Sequence, residues 1–494
     1  MTLKNPIFVD KLFKTRHIDF ERTTMETPYK VFSLFSGAGG LDLGFHLTCD
    51  FRSNFGNELK GAPSETYSKN FHAKRFTDEQ PQIKDTPAIF NKDVASVKFD
   101  KFEGFQPDVL IGGPPCQDFS LIRGPQSERA GMKVTRGKLY AYYVDALIHL
   151  QPKFFVFENV PGLVSANDGL AYQTILSDFK DLKKRQKEIT DLIGNHAKSE
   201  SQNYDILFSE IVNASKLGVP QARRRLIIVG IRKDIMQTEK QRVQATEKLS
   251  KRLRGEDSLS GKYPLTPLEV FEGKPLTELQ DKYYEIMNEY KGVADEVNTP
   301  EALKWKKNVW EKLRFDVIKD YLFINKIIPW NEEEISNAFK EHVNLLKELG
   351  YYQKPITTVE STDNSNTIRK DSSNVLARIQ MIPPDENHVF VNNTKWSVEG
   401  KGMSLIYRRL HPLKPAPTVV AFGGGGTWGY HYERKRATTT NRERARLQTF
   451  PDSFQFSGKT QEIRAQIGEA VPPLLAKRIA QIIASILQKE GNTL

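Results

Sequence analysis

The sequence has 494 residues, which is too long for one ordinary core, so we expect two or more domains. Hydrophobic residues make up 38% and charged residues 27%, no apolar run reaches the ~18 residues of a membrane span, and the first residues lack a signal peptide's apolar stretch. Two cysteines exclude a disulfide framework and fit the reducing cytoplasm, while the net charge of +11 indicates a polyanionic partner without identifying it.

Apolar runs alternate with helical segments from Val31 to about Arg232. Four runs are predicted to be strands: YKVFSLFSG, PDVLIGG, PKFFVFENV and RRLIIVGIR. The segments between them suit crossover helices, so the pattern predicts an α/β sheet. Within this block, SDFKDLKKRQKEITDLIGNHAKSE is predicted to be an exposed, charged helix and loop.

A glycine-rich turn, in FSLFSGAGGLDLGF, follows the first predicted strand. Gly37 and Gly39 allow backbone to approach a ligand, and a helix predicted to begin near Leu41 offers free N–H groups. The spacing differs from the dinucleotide fingerprint, and a bare glycine turn is as often structural as functional. The turn alone therefore leaves both interpretations open.

Two acidic residues follow the next predicted strands. Glu58 suits hydrogen bonds to ribose hydroxyls, and Asp93 suits an adenine amino group. Each acid alone would be interpreted as a solvated side chain or a helix cap. Together with the glycine turn, they predict a site for an adenosine-bearing cofactor.

Cys116 stands in GGPPCQDFS, directly after a predicted buried strand. Parallel sheets place ligands at such strand ends, and two prolines fix the backbone in front of the thiol. Glu158 ends a neighbouring strand, and Arg223 and Arg225 are predicted to share a strand face. Because arginines favour a thiolate, we predict that Cys116 is a nucleophile, whereas Cys49 is expected to be buried packing.

From about Lys233 to Gly402 the composition changes, and lysine and glutamate become dense. This block also holds three tryptophans and is predicted to be a separate inserted domain: Trp305, Trp310 and Trp330. From Arg442 the chain is predicted to be helical again. PPLLAKRIAQIIASILQK has apolar residues at helical spacing, which predicts a surface helix that closes the first core.

The sequence resembles the cytosine-5 DNA methyltransferases in their bacterial restriction-modification arrangement. Six blocks carry the resemblance and occur in the family's order: FSGAGGLDLGF, GGPPCQDFS, FENVPGL, QARRRLIIVGIR, RRLHPLKPAPTV and GEAVPPLLAKRIA. The resemblance implies a Rossmann-like α/β fold of the S-adenosylmethionine-dependent methyltransferases. It implies a catalytic domain at 1–234, a smaller target-recognition domain at 235–440, and a C-terminal segment at 441–494 that returns to the catalytic domain.

The cofactor implied by the resemblance is S-adenosylmethionine, with no metal. Phe35 would stack on the adenine, Glu58 would hold the ribose, and Asp93 would meet the adenine edge. The implied cofactor contacts are Phe35, Gly37, Gly39, Leu41, Glu58, Asp93, Val94, Pro115, Ala470 and Val471. The sequence departs from the family twice, because Leu59 stands where an aromatic residue is common and Glu469 replaces an asparagine.

The resemblance also implies a mechanism in which the Cys116 thiolate adds to C6 of a flipped-out cytosine, so that C5 can attack the methyl group. Glu158 would hydrogen-bond N3 and the exocyclic amine, Arg225 would hold the O2 edge, and Arg223 would support the thiolate. DNA contacts are implied for Gln117, Ser120, Arg408 and Thr418. The base that removes the C5 proton stays unassigned, with water as one candidate.

The implied partners are double-stranded DNA and, functionally, a restriction endonuclease, and we expect a cytoplasmic monomer without membrane contact. A tRNA cytosine methyltransferase is the nearest alternative, but the long block after VGIR favours a sequence reader of DNA. An amino-methyltransferase would carry a D/N-P-P-aromatic turn in place of PPCQ, and the glycine spacing argues against a dehydrogenase. A DNA-binding protein with a decayed catalytic domain disagrees with the intact Cys116, Glu158 and Arg225.

Overall fold

The computed structural model describes residues 27–83, 86–102, 104–115, 138–193, 201–398, 406–422 and 429–491. Their strands are β1 (Tyr29–Leu34), β2 (Phe51–Asn57), β3 (Lys74–Phe76), β4 (Ala88–Phe90), β5 (Val109–Gly112), β6 (Phe154–Asn159), β7 (Tyr204–Asn213), β8 (Gln221–Ala222), β9 (Arg224–Arg232) and β10 (Ala416–Pro417). One sheet has the order β3-β4-β2-β1-β5-β6-β9-β7, and β8 pairs with β10. The predicted α/β sheet is confirmed, and the four runs expected to be strands are β1, β5, β6 and β9.

Helices connect and cover these strands. They are α1 (Gly40–His46), α2 (Gly61–Phe71), α3 (Lys138–Leu150), α4 (Leu170–Lys180), α5 (Leu182–Ile193), α6 (Glu239–Leu253), α7 (Pro267–Glu272), α8 (Gln280–Asn288), α9 (Val293–Val297), α10 (Pro300–Asn308), α11 (Val317–Ile324), α12 (Glu332–Glu348), α13 (Ser373–Ile379), α14 (Asn441–Leu447), α15 (Thr460–Glu469) and α16 (Pro473–Gly491). The helix predicted to begin near Leu41 is α1, which starts one residue earlier.

Strand direction brings the predicted site residues to one edge of the sheet. All neighbouring strands from β3 to β6 in the sheet order run parallel, so the loops after β1, β2, β4, β5 and β6 meet at one edge. Strand β9 runs antiparallel to β6 and β7, so its first residues lie at that same edge. We call it the carboxyl edge.

Side chains alternate between the two faces of the sheet, and each face has its own apolar cluster. Val31 and Val109 belong to the first cluster, which helices α1 and α16 complete. Phe32 and Leu110, one residue further along the same strands, belong to the second cluster, which α3 covers. This burial on both faces explains why β1 and β5 are nearly continuous apolar runs.

The C-terminal helix α16 closes the first cluster as predicted, and Leu475, Ile479 and Ile483 have no exposed surface. The stretch Thr460–Lys489 has the length and apolar composition of a membrane span, but 72% of its most apolar window is buried inside the protein. The structure divides this stretch into α15 and α16, and its apolar side chains pack on the sheet.

The middle of the chain is helical, and its apolar side chains divide between two clusters. Leu268 of α7 and Phe339 of α12 join the first cluster of the sheet. A third cluster combines Tyr290 and Trp305 with Tyr430 from the returning chain. The domain boundaries after residues 234 and 440 stay predictions.

Two predictions about exposure are wrong. The described part of the charged segment forms the end of α4 and the whole of α5, and Phe179, Leu182 and Ile189 are buried in the second cluster. Charged residues outnumber apolar ones in this segment, so the sequence did not reveal the apolar face that packs into the second cluster. Cys49 is exposed, in a turn where its φ is +63°, so it is no packing residue.

Candidate active site

The carboxyl edge joins a carboxylate to a guanidinium at the ends of β6 and β9. Arg225 Nε lies 2.9 Å from Glu158 Oε1, and their side chains are 14% and 12% exposed. The antiparallel register makes this contact, because Glu158 faces Ile227, two residues after Arg225. Burial raises the pKa of Glu158, and the charges of Arg225 and Arg223 oppose that rise. Glu158 can therefore keep a proton at a higher pH than an exposed glutamate.

The turn after β5 lies directly against Glu158. A Cβ at Gly113 would stand 2.7 Å from Glu158 Oε2, so only glycine fits without displacing the carboxylate. Asn159 Nδ2 donates to the Pro114 carbonyl at 2.9 Å, which ties the proline turn to β6. Pro115 is exposed at the end of this turn. Cys116 comes next in the chain and, like Gln117 and Ser120, lies outside the described residues.

Arg223 has a set of contacts that the sequence did not reveal. Its side chain has no exposed surface, and its terminal nitrogens donate to the carbonyls of Val419 at 3.2 Å, Gly468 at 3.0 Å and Glu469 at 3.5 Å. Burial, with the nearby Arg225 charge, lowers the pKa of Arg223 to about 9. Arg223 thus joins three separate chain segments at the carboxyl edge, and its support of the Cys116 thiolate stays a prediction.

Thr418 lies at the same edge, next to the short β8–β10 pair. Its hydroxyl donates to the Ala222 carbonyl at 3.3 Å, and Gln221 Oε1 accepts from Val419 N at 2.8 Å. Gln221 is a positioning residue that sequence reasoning missed, because its partners are distant in the chain. Arg408 is further away in the returning chain and forms an ion pair with Asp385. DNA contacts by Thr418 and Arg408 stay predictions.

Glu58 lies directly after β2, where the sequence analysis expected it, and it closes the loop after β1. Its Oε2 accepts from Gly37 N at 3.0 Å and its Oε1 accepts from Lys60 N at 2.8 Å. The residue is 9% exposed. Burial raises the pKa of Glu58, and the two backbone hydrogen bonds oppose that rise. Each carboxylate oxygen keeps a second lone pair, which is what two ribose hydroxyls would need.

Asp93 and Val94 follow β4 in a short 3₁₀ turn. Asp93 Oδ1 accepts from Ala95 N at 2.9 Å, so the helix-cap interpretation holds for this oxygen. Val94 is buried. Asn57, the last residue of β2, donates to the carbonyls of Phe90 at 3.1 Å and Lys92 at 2.9 Å, which joins this turn to Glu58. An adenine contact by Asp93 or Val94 stays a prediction.

The glycines of the turn have different roles. Gly37 has a φ of +56° and no heavy atom within 4 Å of where a Cβ would stand, so it borders open space that a ligand can fill. Gly39 has a φ of +86°, and a Cβ there would collide with the Phe71 ring. Packing thus requires glycine at position 39. Gly37 and its hydrogen-bonded partner Glu58 border an open space, which we call the cradle. Phe35 is half-buried, and its own φ of +54° turns the chain at this point.

The loop before α16 completes this cradle. A Cβ at Gly40 would lie 2.5 Å from the Val471 carbonyl and 3.0 Å from the Ala470 side chain, so both residues lie against the start of α1. Leu41 is buried beside them. Gly37, Glu58, Ala470 and Val471 therefore lie around the start of α1, and a contact to a cofactor stays a prediction for each of the residues named for it.

Glu469, the departure from the family pattern, has an ion partner. Lys60 Nζ lies 3.0 Å from Glu469 Oε1, and the two side chains are 58% and 49% exposed. This pair joins the segment after β2 to the end of α15 and neutralises the additional carboxylate. Among the described residues, no group of three His, Cys, Asp or Glu side chains is arranged to hold a metal ion.

Comparison with known proteins agrees with this geometry. The family model for C-5 cytosine-specific DNA methylases matches residues 29–485. The DNA (cytosine-5-)-methyltransferase M.ApeKI of Aeropyrum pernix is 53% identical over 465 residues, which cover 93% of this chain and 99% of that protein. The type II methyltransferase M.NgoFVII of Neisseria gonorrhoeae is 29% identical, with 93% and 88% covered.

A solved structure shows the same fold. It belongs to a protein described as a DNA modification methyltransferase encoded within an Escherichia coli prophage, and it covers 93% of this chain and 99% of its own. The identity is 20% and the TM-score is 0.50, so this likeness concerns the fold alone. The family match over residues 29–485 confirms the resemblance read from the sequence blocks. The chain belongs to the C-5 cytosine-specific DNA methylases.

Proposed function

We propose that this DNA (cytosine-5-)-methyltransferase moves a methyl group from S-adenosylmethionine to C5 of a flipped-out cytosine, through a covalent bond between Cys116 and C6. The observation that carries the proposal is the Glu158–Arg225 pair at 2.9 Å, directly beside the proline turn that leads to Cys116. It provides a polar pocket for the Watson–Crick edge of one base at the carboxyl edge. A base inside a duplex cannot reach such a pocket, so the cytosine has to leave the stack.

Glu158 recognises and activates the ring. With its raised pKa, Glu158 can share a proton with N3 while accepting from the exocyclic amine. Arg225 holds the carboxyl group through Nε and donates from Nη1 to the Arg224 carbonyl at 2.7 Å, and its other terminal nitrogen would donate to O2. Negative charge that develops on the ring is thereby stabilised from two sides.

The Cys116 thiolate forms a bond from sulfur to C6, and the electron pair of the C5–C6 double bond moves to C5. That pair then forms the new bond between C5 and the methyl carbon, while the bond from that carbon to the sulfonium sulfur breaks with its electrons staying on that sulfur. A base takes the proton from C5, the double bond returns, and the sulfur–C6 bond breaks with its electrons returning to sulfur. Basic neighbours such as Arg225 favour the thiolate at neutral pH.

The cradle between Gly37 and Glu58 fits S-adenosylmethionine. When bound, S-adenosylmethionine supplies a methyl group on a positively charged sulfur. Gly37 leaves space for the ligand beside its Cα, and the two Glu58 oxygens keep lone pairs for ribose hydroxyls. The half-buried ring of Phe35 provides an apolar surface for the adenine.

Residues 235–440 are proposed to form the target-recognition domain, whose third cluster gives a core to the aromatic residues around Tyr290 and Trp305. Basic side chains on such a domain suit phosphate contacts and base-edge readout. The relative from Neisseria gonorrhoeae is named a type II methyltransferase. We propose by analogy that this chain works in the cytoplasm as a monomer and protects DNA from a partner restriction endonuclease.

The test is to express the chain in a host without cytosine-5 methylation and to sequence its DNA for 5-methylcytosine. The proposal predicts methylation at one short sequence motif, and Glu158→Gln expression serves as the control that removes it. The tRNA from the same cells is also sequenced for 5-methylcytosine. Methylation of tRNA cytosine with unmodified DNA would favour the tRNA alternative and contradict the proposal.

A further inference from the structure

Arg464, on α15, is a largely buried cation to which the described residues offer no hydrogen bond or ion pair. The residue is 6% exposed, and its Nε has no hydrogen-bond partner. Within the described part of the chain, its terminal nitrogens make no hydrogen bond or ion pair either, but they are not among the buried unpaired atoms, so they reach the surface. A buried charge that is neither paired nor hydrogen-bonded is costly, so proteins rarely keep one without a ligand.

The surroundings of Arg464 are positively charged. Arg444 is fully buried and donates from Nε to Thr439 Oγ1 at 3.1 Å. Burial lowers the pKa of Arg444, and the charge of Arg464 lowers it further. Burial lowers the pKa of Arg464, and the charge of the exposed Arg369 lowers it further. The carboxylate that counters the charge of Arg464 is Asp371, and the one that counters the charge of Arg444 is Glu443.

Asp371 offsets only part of this positive charge, and its hydrogen bonds go to Thr438. Its two oxygens lie 3.1 and 2.9 Å from Thr438 Oγ1, and Oδ2 also accepts from Thr438 N at 3.3 Å. Glu443 is itself paired with Arg436, so the guanidinium charges of Arg464, Arg444 and Arg369 exceed the carboxylate charge around them, and the group attracts an anion. An arginine fork is suited to the paired oxygens of a phosphate.

The position of Arg464 indicates that the anion is a phosphate group of the DNA. It stands one helical turn before Gly468, whose carbonyl accepts from Arg223 at 3.0 Å. A Cβ at Gly468 would collide with the backbone of Ala421, which belongs to the same segment as Thr418. The cation group thus lies directly beside the carboxyl edge, where the DNA has to pass if a cytosine is to reach Glu158.

We propose that Arg464, assisted by Arg369 and Arg444, binds a phosphodiester group of the DNA substrate. The guanidinium would replace its missing partners with phosphate oxygens and hold the duplex beside the base pocket. The proposal rests on the proposed function only for the place where the DNA lies. It assigns Arg464 to positioning the DNA and gives it no part in methyl transfer.

The test compares full-length wild-type protein with Arg464→Gln, Arg464→Lys and the control Arg254→Gln. Arg254 is already paired with Glu210, so its removal takes one positive charge without freeing a phosphate contact. Affinity for a duplex with the target motif is measured between about 50 and 200 mM salt. Arg464→Gln should weaken binding about ten-fold or more and reduce the log–log salt slope by about 0.9, and Arg464→Lys should keep most of the slope.

Thermal unfolding without DNA separates this role from a structural one. Since Arg464→Gln removes an unpaired buried charge, its midpoint should stay equal to or above that of the wild type. A lower midpoint with an unchanged salt slope would overturn the proposal and make Arg464 a packing residue. Methylation by the wild type is measured in a separate experiment. Failure to methylate cytosine would contradict the proposed function, while the DNA-binding comparison would still test the role of Arg464.

Two further experiments distinguish a phosphate of the DNA from free inorganic phosphate. Single uncharged methylphosphonates placed around the target cytosine should weaken wild-type binding at one position and have no effect there on Arg464→Gln. Inorganic phosphate is the other probe. If millimolar phosphate stabilises the wild type but not Arg464→Gln, while both bind DNA with the same slope, the site holds a free anion and the proposal is wrong.

Discussion

Replacing Glu158 by glutamine removes a charge and a proton donor while keeping the shape of the side chain. The amide oxygen can still accept from Arg225 Nε across the 2.9 Å contact, so the turn at Gly113 and the fold should remain. A positioned acid is typically worth ~10²–10⁴ in rate, which corresponds to about 3–5 kcal/mol of transition-state stabilisation. We expect Glu158→Gln to lose methylation rate within that range, since its ring contacts gain strength only as charge develops.

The assay is single-turnover transfer of a labelled methyl group at saturating DNA and cofactor, so that binding defects do not contribute. The matched control is Asp178→Asn, because Asp178 is also a buried carboxylate paired with an arginine, 2.8 Å from Arg185 Nε, but belongs to α4 and to none of the loops that meet at the carboxyl edge. The control should keep the wild-type rate. A Glu158→Gln rate within three-fold of wild type would refute the role assigned to Glu158.

Three more changes have expected outcomes. Glu58→Ala and Phe35→Ala should each weaken S-adenosylmethionine binding in calorimetric titration with the fold intact, and unchanged affinity in both would remove them from the proposed cofactor site. Arg223→Met should lower the urea-unfolding free energy by about 2–4 kcal/mol, because three carbonyls lose a donor and only part of that loss is offset by removing a buried charge. Burial lowers the pKa of His342, but the charge and hydrogen bond of Glu269, 2.8 Å away, together with the Tyr263 carbonyl and the Glu341 charge, raise it more, so the net pKa is raised. The pair's stabilisation should therefore be full below about pH 6.5 and fall as pH rises through the folded pKa. A pH-independent difference in melting temperature between the wild type and His342→Gln would contradict this.

The sequence was sufficient for the sheet and for the polar residues at its edge. Apolar runs buried on both faces marked β1, β5, β6 and β9, and the alternation with helices indicated an α/β sheet, but not that β9 runs antiparallel to β6 and β7. The acids Glu58 and Glu158 were found because they follow strands whose ends converge. Their local hydrogen bonds, such as Gly37 N to Glu58, are consequences of the same short turns.

Contacts between distant segments could not be found in this way. Arg223 looked like one of a pair on a strand face, but its partners are 196 and 245 residues further along the chain. The same holds for Lys60, whose partner Glu469 is 409 residues away. No local pattern encodes such pairs, because they depend on how α15 returns to the sheet. Arg464 was missed for that reason, since it looked like an ordinary charged residue of an amphipathic helix.

The measurement that tests the central claim most directly uses DNA with 5-fluorocytosine at the target position. Release of the enzyme requires loss of the hydrogen at C5, and fluorine cannot leave as a cation, so the intermediate should be trapped after methyl transfer. With S-adenosylmethionine present, a denaturant-stable adduct should form, mass spectrometry should locate it on Cys116, and Cys116→Ser should abolish it. An adduct on Cys49, or near-normal methylation by Cys116→Ser, would contradict the mechanism.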